Sequence, residues 1–172
     1  MKTYQVRSNG SYYVLSANDT SSATMYCGSW FSFRAETMVD GKKFLFNSTN
    51  CLGLQLQMLS GTDVAATSST GWNMCTNMHF GKRQYVLKNR SWYSADFVLL
   101  NEQQLPVMIL HPRGSFKNNY DISVNEAFTP EEILFTVYNC NHLKSASSAA
   151  LVSVIVVVLA LPSFNGAFHV LK

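Results

Sequence analysis

Four histidines are the side chains best suited to acid–base chemistry near neutral pH: His79, His111, His142 and His169. None has a carboxylate close by in sequence at the spacing of a catalytic triad, and the chain contains neither a nucleophile elbow nor a clustered metal-binding motif. We therefore expect a protein that is not an enzyme and that uses no metal ion or cofactor.

The alternative is a site that only the tertiary structure assembles. A soluble barrel would then bind or hydrolyse a small ligand at one mouth, where His79 and His111 would lie beside nearby acids. A deep polar pocket that holds both histidines would support this hypothesis.

The chain has four cysteines: Cys27, Cys51, Cys75 and Cys140. They form no CxxC pair, so neither a zinc ribbon nor a thioredoxin-like centre is encoded. The spacings Cys75-x-x-x-His79 and Cys140-x-His142 are too loose to indicate zinc. Buried free thiols are expected, although an even number of cysteines also permits two disulfides in an oxidising compartment.

A second alternative is an exported glycoprotein domain, because Asn-x-Ser/Thr triplets begin at Asn18, Asn47 and Asn89. The N-terminal sequence MKTYQVRSNGSYYVL lacks the long apolar run of an export signal. The triplets are then chance matches, and the expected location is the cytoplasm, or a membrane with the barrel on its cytoplasmic side.

Six basic residues in or beside predicted turns are candidates for contact with anionic lipid headgroups or another ligand: Lys42, Lys43, Lys82, Arg83, Lys88 and Arg90. This requires that they gather at one end of the fold. Otherwise they are solubilising turn charges, which is the interpretation the sequence favours. The net charge is only +3 and no dense basic face is encoded, so nucleic acid is not an expected partner.

Short apolar strands alternate with turn residues up to Asn125. Residues 4–7 and 12–15 predict a hairpin, residues 30–33 a short strand, and residues 52–58 and 120–124 alternate with period two. Residues 68–71 predict a loop. We expect roughly eight to ten strands in a barrel or sandwich. Trp30 and Trp92 are expected to be partly buried, and Trp72 is a further candidate for an interfacial anchor.

One helix is predicted after all the strands, beginning at Thr129-Pro130-Glu131-Glu132. Threonine as N-cap, proline at the first helical position and a glutamate three residues after the cap form a capping box, which accounts for both glutamates. The helix should run from Pro130 to about His142. Its apolar residues cover most of its circumference, so we expect it to be enclosed.

This layout resembles a known superfamily. The sequences YVLKNRSWYSADFVLLNEQQLPVMILHP, NNYDISV and PEEILFTVYNCNH are similar to those of tubby C-terminal-like proteins, and in particular to small bacterial members related to LURP-one and phospholipid scramblase proteins. The resemblance covers roughly residues 1–142. It implies a mainly β fold: an antiparallel β-barrel of short hairpins that encloses a hydrophobic C-terminal helix. The phosphoinositide-binding residues of tubby proteins and the calcium loop of scramblases have no counterpart here.

The chain carries no charge between Lys144 and His169, and residues 149–161 read AALVSVIVVVLAL. A helix over residues 145–161 would be about 25 Å long, just short of a ~30 Å hydrocarbon core. The expected organisation is a barrel domain over residues 1–142, a break at Lys144 and residues 145–148, an apolar segment over 145–161 and a short tail over 162–172. The apolar segment is expected to be a membrane anchor, with packing against the barrel as the alternative. The expected function is a non-enzymatic, membrane-proximal binding or scaffold module.

Overall fold

The computed structural model describes the chain except residues 19, 29–33, 51–53, 92–93, 115–117 and 161–172, and for residues 146–160 it describes the backbone alone. Its elements, in chain order, are β1 Lys2–Asn9, β2 Tyr12–Ala17, β3 Thr20–Cys27, β4 Arg34–Val39, β5 Lys42–Ser48, β6 Gln55–Ser60, β7 Asp63–Thr70, β8 Thr76–Phe80, β9 Arg83–Asn89, β10 Phe97–Leu100, β11 Pro106–Arg113, β12 Asn119–Val124 and α1 Pro130–Ala160.

The strands form one closed antiparallel barrel. Each strand pairs with its neighbours in sequence, and β1 closes the barrel against β12, with Val6 opposite Tyr120. The expected mainly β fold, an antiparallel barrel of short hairpins with a C-terminal helix, is therefore confirmed. So is the first hairpin, in which β1 and β2 pair around the turn at Gly10.

Alternation of side chains determines which face of each strand turns inward. Tyr120, Ile122 and Val124 are almost fully buried, while the residues between them are partly exposed. Several hairpin turns contain glycine with positive φ, including Gly61 at 63° and Gly81 at 58°. This backbone conformation costs glycine little and strains other residues.

Two predictions about the strands were wrong. Residues 68–70 belong to β7 instead of a loop, and the described part of the chain has twelve strands where roughly eight to ten were expected. The cause is composition, because β3 and β7 are rich in Ser, Thr and Ala, and their inward positions include Ala23, Ala66 and Ser68. Their alternation is therefore weak in hydropathy. The strand predicted at residues 30–33 lies outside the described residues.

Helix α1 begins at Pro130, as predicted. Glu132 accepts a hydrogen bond from the backbone N–H of Thr129 through Oε2, at 3.0 Å. The first helical bond runs from the N–H of Ile133 to the carbonyl of Thr129, at 3.1 Å. The glutamate half of the capping box is thus formed.

The first half of α1 fills the barrel lumen. Residues 133–140 are all buried, so no side of the helix faces water along two turns. The Phe135 ring contacts Phe46 edge-on with 5.2 Å between ring centroids, and Phe80 at 6.2 Å. An all-round apolar helix is stable only in such an enclosed position.

The helix does not end near His142, and the predicted break at Lys144 and residues 145–148 is absent. Instead α1 continues to Ala160. The Ser145 hydroxyl donates a hydrogen bond to the carbonyl of Asn141 at 2.9 Å, so this serine is accommodated within the helix. The 31 residues of α1 span about 46 Å at ~1.5 Å per residue, more than the ~27 Å of the eight-residue strands.

The lumen packing gives a stability prediction. Phe135→Ala should lower the free energy of unfolding by about 3–5 kcal/mol, because it leaves a cavity between the helix and the barrel wall. Met38→Ala is the matched control, since Met38 is 45% exposed on the outer surface and its loss should change stability by less than about 0.5 kcal/mol. Denaturant unfolding followed by circular dichroism measures both. Equal losses would contradict a lumen built around α1.

Candidate functional site

The barrel has two chemically different rims. Connections that follow the even-numbered strands lie at the rim where α1 begins, which we call the start rim. Connections that follow the odd-numbered strands lie at the opposite rim, which we call the exit rim. Phe128 packs on Phe80 at the start rim with 6.0 Å between ring centroids, whereas the Tyr120 hydroxyl donates to Asn141 at 2.7 Å near the exit rim. Leu143 is the last helical residue described as buried.

The six basic residues selected from the sequence do not gather at one end. Four lie at the start rim: Lys42, Lys43, Lys82 and Arg83. The other two, Lys88 and Arg90, lie at the end of β9 that meets the exit rim. A single site that uses all six is therefore excluded by their positions.

Arg83 stabilises the start of α1. Its guanidinium pairs with the Glu132 carboxylate, donates to the carbonyl of Ala127 at 3.0 Å and lies 5.5 Å from the centroid of the Phe128 ring. Burial raises the pKa of Glu132, while the Thr129 N–H and Arg83 act in the opposite direction. Arg83 thus has a structural function that competes with ligand contact.

Lys43 at the start rim is also paired. Its Nζ lies 2.8 Å from Glu36 Oε2, and the hydrogen bond from Lys43 is the main cause that lowers the pKa of Glu36. Among the described residues, Lys42 and Lys82 form no ion pair. Lys82 lies in the turn between β8 and β9.

The exit rim combines basic side chains with exposed aromatic rings. The Trp72 side chain in the turn between β7 and β8 is fully exposed. Tyr12 and Tyr26 face each other across β2 and β3 with ring centroids 4.9 Å apart, and Tyr12 is 57% exposed. The sequence offered Trp72 as an interfacial anchor, whereas Trp30 and Trp92 lie outside the described residues. No sequence pattern identified the tyrosine pair, since it depends on strand register.

The histidines proposed for a shared site are far apart. His111 Nδ1 lies 2.5 Å from Asp96 Oδ1 on the outer surface near the exit rim. His79 lies on β8, three strands away, at a distance of about 14 Å for ~4.8 Å between strands. It borders a depression open to solvent, together with Gln84 and Glu102.

His111 belongs to a row of ion pairs on the outer surface. It stands opposite Asp121 in the strand register. Asp121 pairs with Arg113 and lies 3.6 Å from Arg7, and Arg90 lies 3.8 Å from Asp96. Such exposed pairs contribute little to stability. These ion pairs account for the position of His111 without a catalytic role.

The interior near the exit rim contains titratable groups that burial keeps neutral. Burial lowers the pKa of His142 to about 4 and raises the pKa of the Cys27 thiol to about 11. It also raises the pKa of Cys140. Thiols held neutral in this way are poor nucleophiles and poor metal ligands. No group of three or more His, Cys, Asp or Glu side chains that could hold a metal ion occurs within the described part of the chain.

The Asn-x-Ser/Thr triplets differ in accessibility. Asn18 and Asn89 are exposed, whereas Asn47 is partly buried in β5. Two of the three positions are therefore open at the surface.

No helical stretch among the described residues is long and apolar enough to cross a membrane. The segment expected as an anchor, residues 145–161, has described side chains only at Ser145.

The pKa of His142 gives a testable pH dependence. The folded protein holds its imidazole at a pKa of about 4, against 6.5 for the ordinary group. Between these values the unfolded chain binds more protons, so stability falls as the pH drops from 6.5 to 4. The loss should approach about 3 kcal/mol at ~1.36 kcal/mol per pKa unit. His142→Gln should flatten this slope, and unfolding curves of the wild type and the variant across this pH range measure the difference.

Comparisons with known proteins concern the fold alone. No protein-family model matches the sequence, and a search of curated proteins found no match. An X-ray structure of the Arabidopsis thaliana protein AT5G01750 is similar, with a TM-score of 0.59 and 14% sequence identity. The match covers 85% of this chain and 91% of the plant protein. This likeness shows a shared overall fold, which in the described part of this chain is a closed antiparallel barrel with the C-terminal helix inside it.

Proposed function

We propose that this protein is a non-enzymatic β-barrel module of the tubby C-terminal-like type, related to LURP-one and scramblase-like proteins, that acts as a membrane-proximal binding or scaffold protein. Attachment would occur through the uncharged segment over residues 145–161. The barrel would face the cytoplasm, where the neutral thiols of the partly buried Cys27 and the buried Cys140 remain reduced.

The continuity of α1 carries this proposal. The helix fills the lumen up to Leu143 and its backbone continues to Ala160, well beyond the length that the strands can cover. A valine-rich segment outside a barrel would be an aggregation hazard in water. A bilayer removes that hazard, because it solvates apolar side chains and leaves no backbone group of a helix unpaired.

The occupied lumen argues against the second candidate, a soluble barrel with a ligand site or hydrolytic site at one mouth. Residues 133–140 take up the space that a ligand would need. His79 and His111 face the outside on separate strands, and His111 already pairs with Asp96. Neither arrangement supplies an activated nucleophile.

The attachment can be tested in the full-length chain by making its apolar segment polar. Val152→Asp with Val158→Lys preserves the net charge and places two ionised groups where insertion costs about 2.5–3.5 kcal/mol each. The wild type should remain with membranes after alkaline carbonate extraction, and the double variant should move to the supernatant. Val152→Leu with Val158→Leu is the matched control and should behave as the wild type. A wild-type protein found in the supernatant would contradict attachment.

The non-enzymatic assignment has its own test. Purified protein incubated with p-nitrophenyl esters and phosphates should release p-nitrophenol no faster than buffer. The expected result follows because, among the described residues, neither exterior histidine lies beside a side chain that it activates as a nucleophile. Hydrolysis by the wild type that His111→Asn or His79→Asn abolishes, with folding retained by circular dichroism, would favour the hydrolytic alternative.

A further inference from the structure

The charges of the described residues are distributed unequally between the two halves of the barrel. The half nearer the exit rim has six basic side chains, Arg7, Arg34, Lys88, Arg90, Arg113 and Lys144, and three acidic ones. The half nearer the start rim has five basic and six acidic side chains. A potential of opposite sign at the two ends orients a protein near a charged surface.

The three acids of the exit half are already engaged. Asp96 contacts His111, Asp121 pairs with Arg113, and Glu36 pairs with Lys43. The remaining excess is therefore positive. Lys88 forms no ion pair among the described residues, and Arg90 reaches Asp96 only at 3.8 Å.

The turn that carries Trp72 at the exit rim is held by hydrogen bonds. The N–H of Gly71 donates to the carbonyl of Cys75 at 2.9 Å, and the N–H of Cys75 donates to Asn73 Oδ1 at 3.1 Å. These bonds close the turn that presents the fully exposed Trp72. An indole ring held in water has no partner within the fold. Its apolar body and single N–H suit the headgroup level of a bilayer.

The start rim exposes the apolar side chains of Val64 and Leu105, but no aromatic ring among the described residues is exposed there. Its hairpins are tight turns such as Asp40-Gly41 and Gly81-Lys82, and Glu131 and Glu132 stand at the first turn of α1. Anionic lipid would repel the carboxylates of Asp40, Glu131 and Glu132. Arg83 is already committed to Glu132.

The point where α1 leaves the lumen lies within the exit rim. Lys144 is 4.5 Å from the centroid of the Tyr120 ring there, and the sequence after it carries no charge as far as His169. In one orientation, the barrel would therefore bring the apolar segment, the exposed aromatic rings and the basic side chains to the same bilayer surface. The opposite orientation would bring the six acidic side chains of the start half nearest the lipid and would place the exit of α1 and the exposed Trp72 farthest from it.

We propose that the exit rim is a docking surface for an anionic bilayer, with Trp72 at the headgroup level and Lys88 and Arg90 facing lipid phosphates and carboxylates. The choice of partner rests on the proposed membrane-proximal function. The docking surface is distinct from the apolar segment, because it belongs to the barrel itself.

The test separates the rim from the apolar segment. The background protein is the full-length Val152→Asp, Val158→Lys variant. Its binding to vesicles of 70% phosphatidylcholine and 30% phosphatidylserine is measured by flotation. On such an anionic membrane each basic residue near the surface is expected to contribute about 1 kcal/mol to binding. In this background, Trp72→Ser with Lys88→Gln and Arg90→Gln should weaken binding at least about 30-fold. Binding of the background protein should also fall with added salt and be lost on pure phosphatidylcholine.

The matched control removes similar groups from the start rim: Lys42→Gln, Lys82→Gln and Leu105→Ser. It should bind within about threefold of the background protein, because these residues face away from the bilayer. Equal weakening by both triple variants, or no vesicle binding by the background protein, would overturn the docking surface. So would a dimer in sedimentation equilibrium that only the exit-rim variant dissociates. Carbonate extraction of the wild type reports on the apolar segment alone, so either proposal can fail without the other. Thermal melts confirm that each variant is folded.

Discussion

The filling of the lumen by α1 is the constraint on which the rest of the structure depends. A barrel of about eight strands is just wide enough for its own side chains to fill, and the diameter grows with strand number. A closed barrel of twelve strands would therefore leave a cavity. Here a helix whose apolar residues cover most of its circumference occupies it, and residues 133–140 are buried without interruption. The strands cannot form a stable core without the helix, and such a helix would not be soluble without the strands.

A few polar contacts determine the rotation of the helix inside this apolar core. The Asn139 amide donates to the carbonyl of Phe135 at 2.8 Å and accepts from the Ser68 hydroxyl of β7 at 2.6 Å. At the start rim Arg83 holds Glu132, and near the exit rim Tyr120 donates to Asn141. Because apolar packing alone is tolerant of small rotations, these bonds select one register from several of similar burial. The serine on β7 that weakened the strand pattern is therefore also the residue that orients the helix.

The sequence was sufficient for the features that arise from local chemistry. The capping box at Thr129 and the alternation of Tyr120, Ile122 and Val124 were predicted because each needs only neighbouring residues. Strand β7 was missed because Ser68 and Ala66 face the lumen and weaken its hydropathy pattern. Helix α1 continues past its predicted end near His142, because a helix can extend beyond the strands that enclose its first half and because Ser145 bonds to the turn before it. The division of the basic residues between two rims depends on strand direction, which only the topology determines.

The continuity of α1 from Pro130 to Ala160 has a mechanical consequence. The same helix that completes the core of the domain is also the segment that leaves it. Any force applied to the chain beyond Ser145 is therefore transmitted along the helix axis into the interior, with no flexible joint to absorb it. Two interactions at the far end of the barrel then resist extraction of the helix. They are the hydrogen bond between Thr129 and Glu132 and the ion pair between Arg83 and Glu132. In such a domain, tension on the tail and the integrity of the fold are directly coupled.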